Sequence, residues 1–261
     1  MVSKLAVVSV LVGMSLLLVA CQPGGPLRQI EKGDELAFYN FTEPNSFEQG
    51  AYGAATLRVS DGIYRIDVLQ GDNTLWWGQW GDTYSDVVID VDVEQIDERI
   101  ENAYGVMCRV RGTVGQPSPV DAELAAIMAE ATDEAGAELE VTAEATASVD
   151  APALNSSEGD GYLFLIQGGG AFAILRARGR DLTPLVDWST SDAIQTGPAS
   201  NHLRAVCAGD YLAFYINERL VAEATDDAYR EGQVGLAASA ATRLGTRIQF
   251  DNLTVSEARS S

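Results

Sequence analysis

The sequence predicts an all-β protein, an antiparallel sandwich of two sheets. Three observations lead there. Apolar and polar residues alternate with period two through most of residues 36–256. Short turn signals punctuate the alternation at Ser60-Asp61-Gly62, Gly168-Gly169-Gly170, Ala208-Gly209-Asp210 and Asn217-Glu218. Helical periodicity is scarce, so strands must cover strands.

The elements follow in order. Leu36–Phe41 opens the pattern. Ala55–Ser60 and Ile63–Leu69 flank Asp61-Gly62 and read as a hairpin. Tyr84–Glu94 alternates most cleanly: Val87, Ile89, Val91 and Val93 face a core, while Asp86, Val88, Asp90, Asp92 and Glu94 face the other way. In Tyr104–Arg111, Val106, Cys108 and Val110 share a face. Gly161–Gln167 and Ala171–Arg178 flank the triple glycine. His202–Ala208, Tyr211–Ile216 and Leu220–Ala224 form a meander, followed by Gln233–Ser239. In Arg247–Val255 the apolar parity changes: Ile248 and Phe250 share one face, then Leu253 and Val255 take over. A β-bulge at Asp251-Asn252 would keep all four on the core side.

One segment breaks the pattern. Residues 112–160 hold no Lys or Arg, are rich in Ala, Asp and Glu, and contain Pro117, Pro119 and Pro152. Leu124, Ile127 and Met128 would line a short helix after Asp121. The remainder has few large apolar groups to offset its ordering entropy. It reads as an acidic, mostly disordered insertion within a single domain of residues 34–256, since neither flank alone holds enough strands for a sandwich.

The N-terminus reads as an address. Lys4 precedes an apolar run from Leu5 to Ala20, the form of a secretory signal and short for a membrane span. Leu18-Val19-Ala20-Cys21 resembles the lipobox of bacterial lipoproteins. That resemblance implies cleavage after residue 20, a diacylglycerol on Cys21, a tether over residues 21–33 and anchoring to the extracytoplasmic face of a membrane. Export also bears on the other two cysteines. Cys108 and Cys207 both lie on apolar strand faces, and in an oxidising compartment they are expected to bridge; two separate buried thiols are the alternative.

The 17 Lys and Arg stand against 38 Asp and Glu, a formal charge of −21. Nucleic acid binding needs a basic face, so it is excluded as a function class. A single His rules out a multi-His metal site. Gly168-Gly169-Gly170 lacks the Lys-Ser/Thr of a phosphate loop, and His202 has no serine elbow to serve.

The C-terminal half carries the most specific pattern. It runs through Ala208-Gly209-Asp210, Phe214-Tyr215-Ile216-Asn217, Gly232-Gln233-Val234-Gly235-Leu236 and Phe250-Asp251-Asn252. Asp61-Gly62-Ile63-Tyr64 and Tyr104–Arg109 fit the front half. This succession resembles the concanavalin A-like lectin/glucanase superfamily, and within it the laminin-G-like and 3-keto-disaccharide hydrolase-type domains. The resemblance implies a jelly-roll sandwich and an extracellular glycan-binding module. It departs from the pattern at Glu218, where the usual hairpin has Gly.

Two constellations carry possible chemistry. Asp90, Asp92 and Glu94 resemble the E-x-D-x-E strand of laminarinase-like glucanases, in which the outer two carboxylates act as nucleophile and acid/base. Asp90 is shorter than the Glu of that motif, and a solvated strand face explains the same residues. Trp76, Trp77, Trp80 and Tyr84 offer indole and phenol faces for sugar C–H groups, or core packing. Arg109, opposite in parity to Cys108, is expected to point away from the core, toward sugar hydroxyls or toward Asp90 or Asp92. Asp226-Asp227 and Asp251-Asn252 suggest a structural calcium, and no other cofactor is implied. The expectation is a non-catalytic carbohydrate-binding lipoprotein. A glycoside-cleaving enzyme and a structural or protein-binding envelope lipoprotein are the alternatives.

Overall fold

The computed structural model describes residues 28–71, 73–112, 155–156 and 159–260. The signal segment, Cys21, residues 21–27 and most of the acidic insertion lie outside the described residues. Sixteen strands make up the described chain, with no helix among them. They are β1 (Ile30–Tyr39), β2 (Gly50–Ala51), β3 (Ala55–Ser60), β4 (Ile63–Val68), β5 (Thr74–Tyr84), β6 (Val87–Gln95), β7 (Ala103–Arg111) and β8 (Asn155–Ser156). They continue with β9 (Asp160–Gln167), β10 (Ala171–Arg178), β11 (Asp181–Thr190), β12 (Ser200–Ala208), β13 (Tyr211–Ile216), β14 (Arg219–Thr225), β15 (Gly232–Ser239) and β16 (Thr246–Ser260).

These form two sheets. The nine-stranded sheet runs β14-β13-β12-β6-β16-β4-β3-β2, with β1 also paired to β16. The seven-stranded sheet runs β11-β10-β9-β7-β15-β5-β8. All pairings are antiparallel except β5 with β8. The fold is therefore the expected antiparallel two-sheet jelly-roll sandwich.

Alternation builds the core. Ile89, Val91 and Val93 of β6 face Tyr104 and Val106 of β7 and Phe164 and Ile166 of β9 across the sheets, all buried. Each such large side chain contributes roughly 1.5–3 kcal/mol of burial. Cys108 of β7 and Cys207 of β12 are joined by a disulfide, which ties one sheet to the other. The turns obey their chemistry. Asp61 and Gly62 both take positive φ, as a two-residue hairpin between twisted strands requires. Asn217 and Glu218 do the same, so Glu218 occupies a position that favours glycine. The parity change in β16 is a bulge: the register with β6 shifts between Asp251 and Thr254, and Asn252 has φ +53°.

The structure corrects several elements. β1 begins at Ile30, so the strand takes in residues 30–33, which the sequence assigns to the tether. The predicted Tyr84–Glu94 strand starts later, at Val87, because Tyr84 ends β5. β5 is absent from the sequence pattern, because the adjacent Trp76 and Trp77 have opposite parity and Leu75, Trp77 and Gly78 are buried on both sides of the strand, which masks the alternation. β11 was also missed, because Pro184 argues against a strand. That strand is the last in its sheet, where proline is tolerated.

Candidate functional site

The acidic strand β6 lies in the middle of the nine-stranded sheet, with β12 on one side and β16 on the other. Its register sets Arg204 opposite Asp90, His202 opposite Asp92 and Ser200 opposite Glu94. Directly opposed side chains share a face, here the one turned away from the core.

Asp90 is the centre of this face and is only 3% exposed. Its Oδ1 accepts from Arg204 Nε at 2.6 Å and contacts His202 Nε2 at 3.2 Å. Its Oδ2 accepts from Lys32 Nζ at 2.7 Å, the lysine arriving from β1. Burial alone would raise the Asp90 carboxyl; hydrogen bonds from His202 and Lys32 and the charge of Arg204 outweigh it and hold the group well below the usual carboxylate range. Asp92 contacts His202 Nδ1 at 2.8 Å and accepts from Asn252 Nδ2, at the bulge, at 3.0 Å. The bond to Asp90 first, and that to Asp92, overcome burial and push His202 up to about 9. Arg204 extends the network to Glu218 at 2.9 Å. Three cations thus meet three carboxylates. The glucanase-like triplet is divided: Asp90 is enclosed, Asp92 is half-committed to His202, and Glu94 faces solvent beside a small groove of about 200 Å³ with Ser200 and Asp251.

A buried carboxylate that accepts from Lys, Arg and His through both of its oxygens is enclosed from a substrate carbon. Held fully ionised, it has no proton to donate. The arrangement fixes the Asp90 side chain in place between β1, β6 and β12.

The aromatic residues do not make one platform. Trp77 is fully buried on the outer face of the seven-stranded sheet, among Leu75, Met107 and Leu163. Trp76 has the opposite parity and is partly buried. Tyr84 bonds to Tyr39, where burial and the Tyr84 hydroxyl raise the Tyr39 phenol to about 12. Trp80 alone among the three candidate tryptophans presents substantial surface, at 39%.

Arg109 departs from expectation most. It is buried, at 1% exposure, and reaches neither Asp90 nor Asp92. A bulge in β7, where Arg109 takes φ +54°, re-aims the side chain. Its guanidinium donates to the carbonyls of Ser85 at 3.0 Å, Gly209 at 2.8 Å and Tyr229 at 2.8 Å, and pairs with Asp86 at 3.2 Å. It is a structural staple among three loops, not a sugar contact. The arginine beside Asp90 is Arg204. Strand order, which the sequence does not reveal, decides between them.

The calcium suggestion finds other partners. Asp226 accepts from Tyr162 Oη and Arg176 Nη1, each at 2.6 Å. Among the described residues no cluster of three His, Cys, Asp or Glu is arranged to hold a metal ion.

Comparison with known proteins shows the fold. No family model matches the chain, and no curated protein matches it. Solved structures do. A carbohydrate-binding module, CBM66, from Bacillus subtilis aligns at 17% identity with TM-score 0.51, over 81% of this chain and 99% of its own. A Bacillus subtilis protein of unknown function with a galectin-like fold aligns at 11% and 0.55, over 89% of this chain and 100% of its own. A native glycosidic hydrolase aligns at 7% and 0.53, over 86% and 97% respectively.

Proposed function

We propose that the chain is a non-catalytic glycan-binding sandwich, held by lipid on Cys21 at the extracytoplasmic face of a membrane. The observation that carries the non-catalytic part is the enclosure of Asp90 by Lys32, His202 and Arg204. Two-carboxylate hydrolysis needs both outer carboxylates open to the sugar, and Asp90, 3% exposed with both oxygens accepting from these cations, is closed to it. The glycan-binding part is supported by the shared sandwich, which the CBM66 module uses for carbohydrate. Fold alone does not fix function, so the polar outer face of the nine-stranded sheet is the second support. The outer face of the other sheet is apolar and buried, lined by Leu75, Trp77, Leu163, Leu165 and Leu175.

The test passes the purified chain over a panel of polysaccharides, scoring retention and reducing-sugar release together. Retention without release is expected. Release that disappears in Glu94→Gln would establish the enzyme instead, and neither retention nor release would end both readings. Membrane fractionation tests the anchor: Cys21→Ala is expected to move the protein to the soluble fraction.

A further inference from the structure

A second charged feature lies on the outer face of the nine-stranded sheet, on β3, β4 and β16. In register, Arg58 opposes Arg65 and Arg65 opposes Gln249. One pair along, Thr56 opposes Asp67 and Asp67 opposes Arg247. Asp67 is buried between two guanidiniums: Oδ2 lies 2.8 Å from Arg58 Nη2, and Oδ1 accepts from Arg247 Nε at 2.9 Å. Arg65 is lowered from its ordinary value, by burial first and then by the positive charge of Arg58 and Arg247. The loop after β6 brings a fourth guanidinium, Arg99, whose Nε donates to the Gly245 carbonyl at 3.0 Å. The carboxylate of that loop, Asp97, accepts from Thr246 Oγ1 at 2.7 Å and from the backbone N–H groups of Arg247 and Arg99.

Four of the chain's 17 basic residues therefore converge around Asp67 and Asp97, both already partnered, with Asp61 acting on Arg65 as a third carboxylate. Local charge is positive on a chain whose total is −21. Arg58, Arg99 and Arg247 line a concavity of about 400 Å³, within the range of small-ligand sites. Asp67 fixes one nitrogen of Arg58 and one of Arg247, and each guanidinium carries five N–H donors. The two side chains remain about half exposed, at 40% and 55%. The same concavity has an apolar rim, with Leu244 75% exposed and Ile96 38% exposed.

We propose that this concavity binds a sugar unit bearing a carboxylate or sulfate. The anionic group meets Arg58 and Arg247, and the apolar ring face meets Ile96 and Leu244. The inference rests on the glycan-binding reading and names its ligand class. A neutral sugar leaves the positive charge of the paired guanidiniums unanswered, and a bare inorganic anion leaves the apolar rim unused. Planar guanidiniums pre-oriented by a carboxylate suit the two-oxygen geometry of such groups. The negative charge elsewhere on the chain is screened beyond about 8–10 Å at physiological salt, so recognition is local.

The test is native affinity electrophoresis of the purified chain in gels containing polygalacturonate, dextran sulfate or neutral dextran. Retardation is expected with a polyanion, and the two polyanions separate carboxylate from sulfate recognition. Leu244→Asp puts a negative charge at an exposed rim position that folding does not need, and is expected to weaken retardation at least tenfold. Arg58→Gln with Arg247→Gln, which keeps donors toward Asp67, is expected to do the same. Absence of retardation in both polyanions, or retardation unchanged in both variants, overturns the inference. Retention on neutral polysaccharides without polyanion retardation overturns it while leaving the glycan reading intact. Retention on nothing overturns both.

Discussion

Replacing Arg109 by Met tests the structure at its most consequential departure from expectation. The side chain is buried, and its guanidinium satisfies the carbonyls of Ser85, Gly209 and Tyr229. Methionine fills similar volume but donates nothing. Each stranded carbonyl costs about 1–3 kcal/mol, less where water can reach it. The Ser85 and Gly209 bonds are part-buried and the Tyr229 bond is fully buried, so the three do not cost equally. Removing the desolvation cost of burying the arginine returns part of the loss. The expected net destabilisation is about 3–4 kcal/mol, a large share of the 5–15 kcal/mol typical of a folded domain. In urea, with a slope of about 2–3 kcal/mol per molar, the midpoint should fall by about 1–2 M with the slope unchanged. Arg109→Lys keeps the charge without the planar fork, and should recover about half. Because the guanidinium stays charged throughout, the loss should be equal at pH 6 and pH 9. A midpoint within about 0.3 M of the unmodified protein would refute the staple.

Three further outcomes follow from the same contacts. Converting Cys108 and Cys207 both to Ala opens a link of sequence separation 99 and should cost about 3–5 kcal/mol by chemical denaturation; reduction of the native protein should reproduce most of that loss. The Trp76 indole N–H is buried without an acceptor among the described residues, so Trp76→Phe should leave the thermal midpoint within about 2 °C, whereas Trp77→Phe should lower it by more. His202 rises from 6.5 to about 9 on folding, so its stabilisation is complete below about pH 6.5 and is lost as pH climbs through 9. As the chain's single imidazole, its NMR titration should have a midpoint near 9, and His202→Gln should flatten the decline in stability across that window.

The legible part of the fold was that written in period two. Val87, Ile89, Val91 and Val93 announced their face because their neighbours on β6 are mostly acidic. The bulge at Asp251-Asn252 was legible because a parity error in an otherwise regular strand has few remedies. β5 was not, because Leu75 and Trp77 are buried on one side and Gly78 is packed beneath Tyr64 on the other, and burial on both faces erases alternation. Local pattern also could not say which strands become neighbours. Arg109 and Arg204 are both strand arginines next to apolar residues. One became a buried staple and the other a surface partner of Asp90, because β12, not β7, lies beside β6. The seated lysine could not be read either: Lys32 reaches Asp90 only because β1 pairs with β16.

That pairing changes the meaning of the acidic strand. Three carboxylates at alternate positions read alone as a reactive cluster, since crowding would leave one of them protonated. With cations supplied from β1 and β12, Asp90 at the centre of that strand is fixed and held ionised. The basic cluster around Asp67 has the reverse balance, four guanidiniums to three carboxylates when Asp61 beside Arg65 is counted. Asp90 is thus neutralised by the protein itself, Glu94 stays open to solvent, and the excess of basic residues is confined to the concavity around Asp67. A ligand drawn to that concavity by charge would be anionic, although the chain as a whole carries −21. Net charge excluded a polyphosphate-binding surface of broad extent. It does not exclude a single anionic group in one concavity, because that decision is made by the few charges within a Debye length of the site.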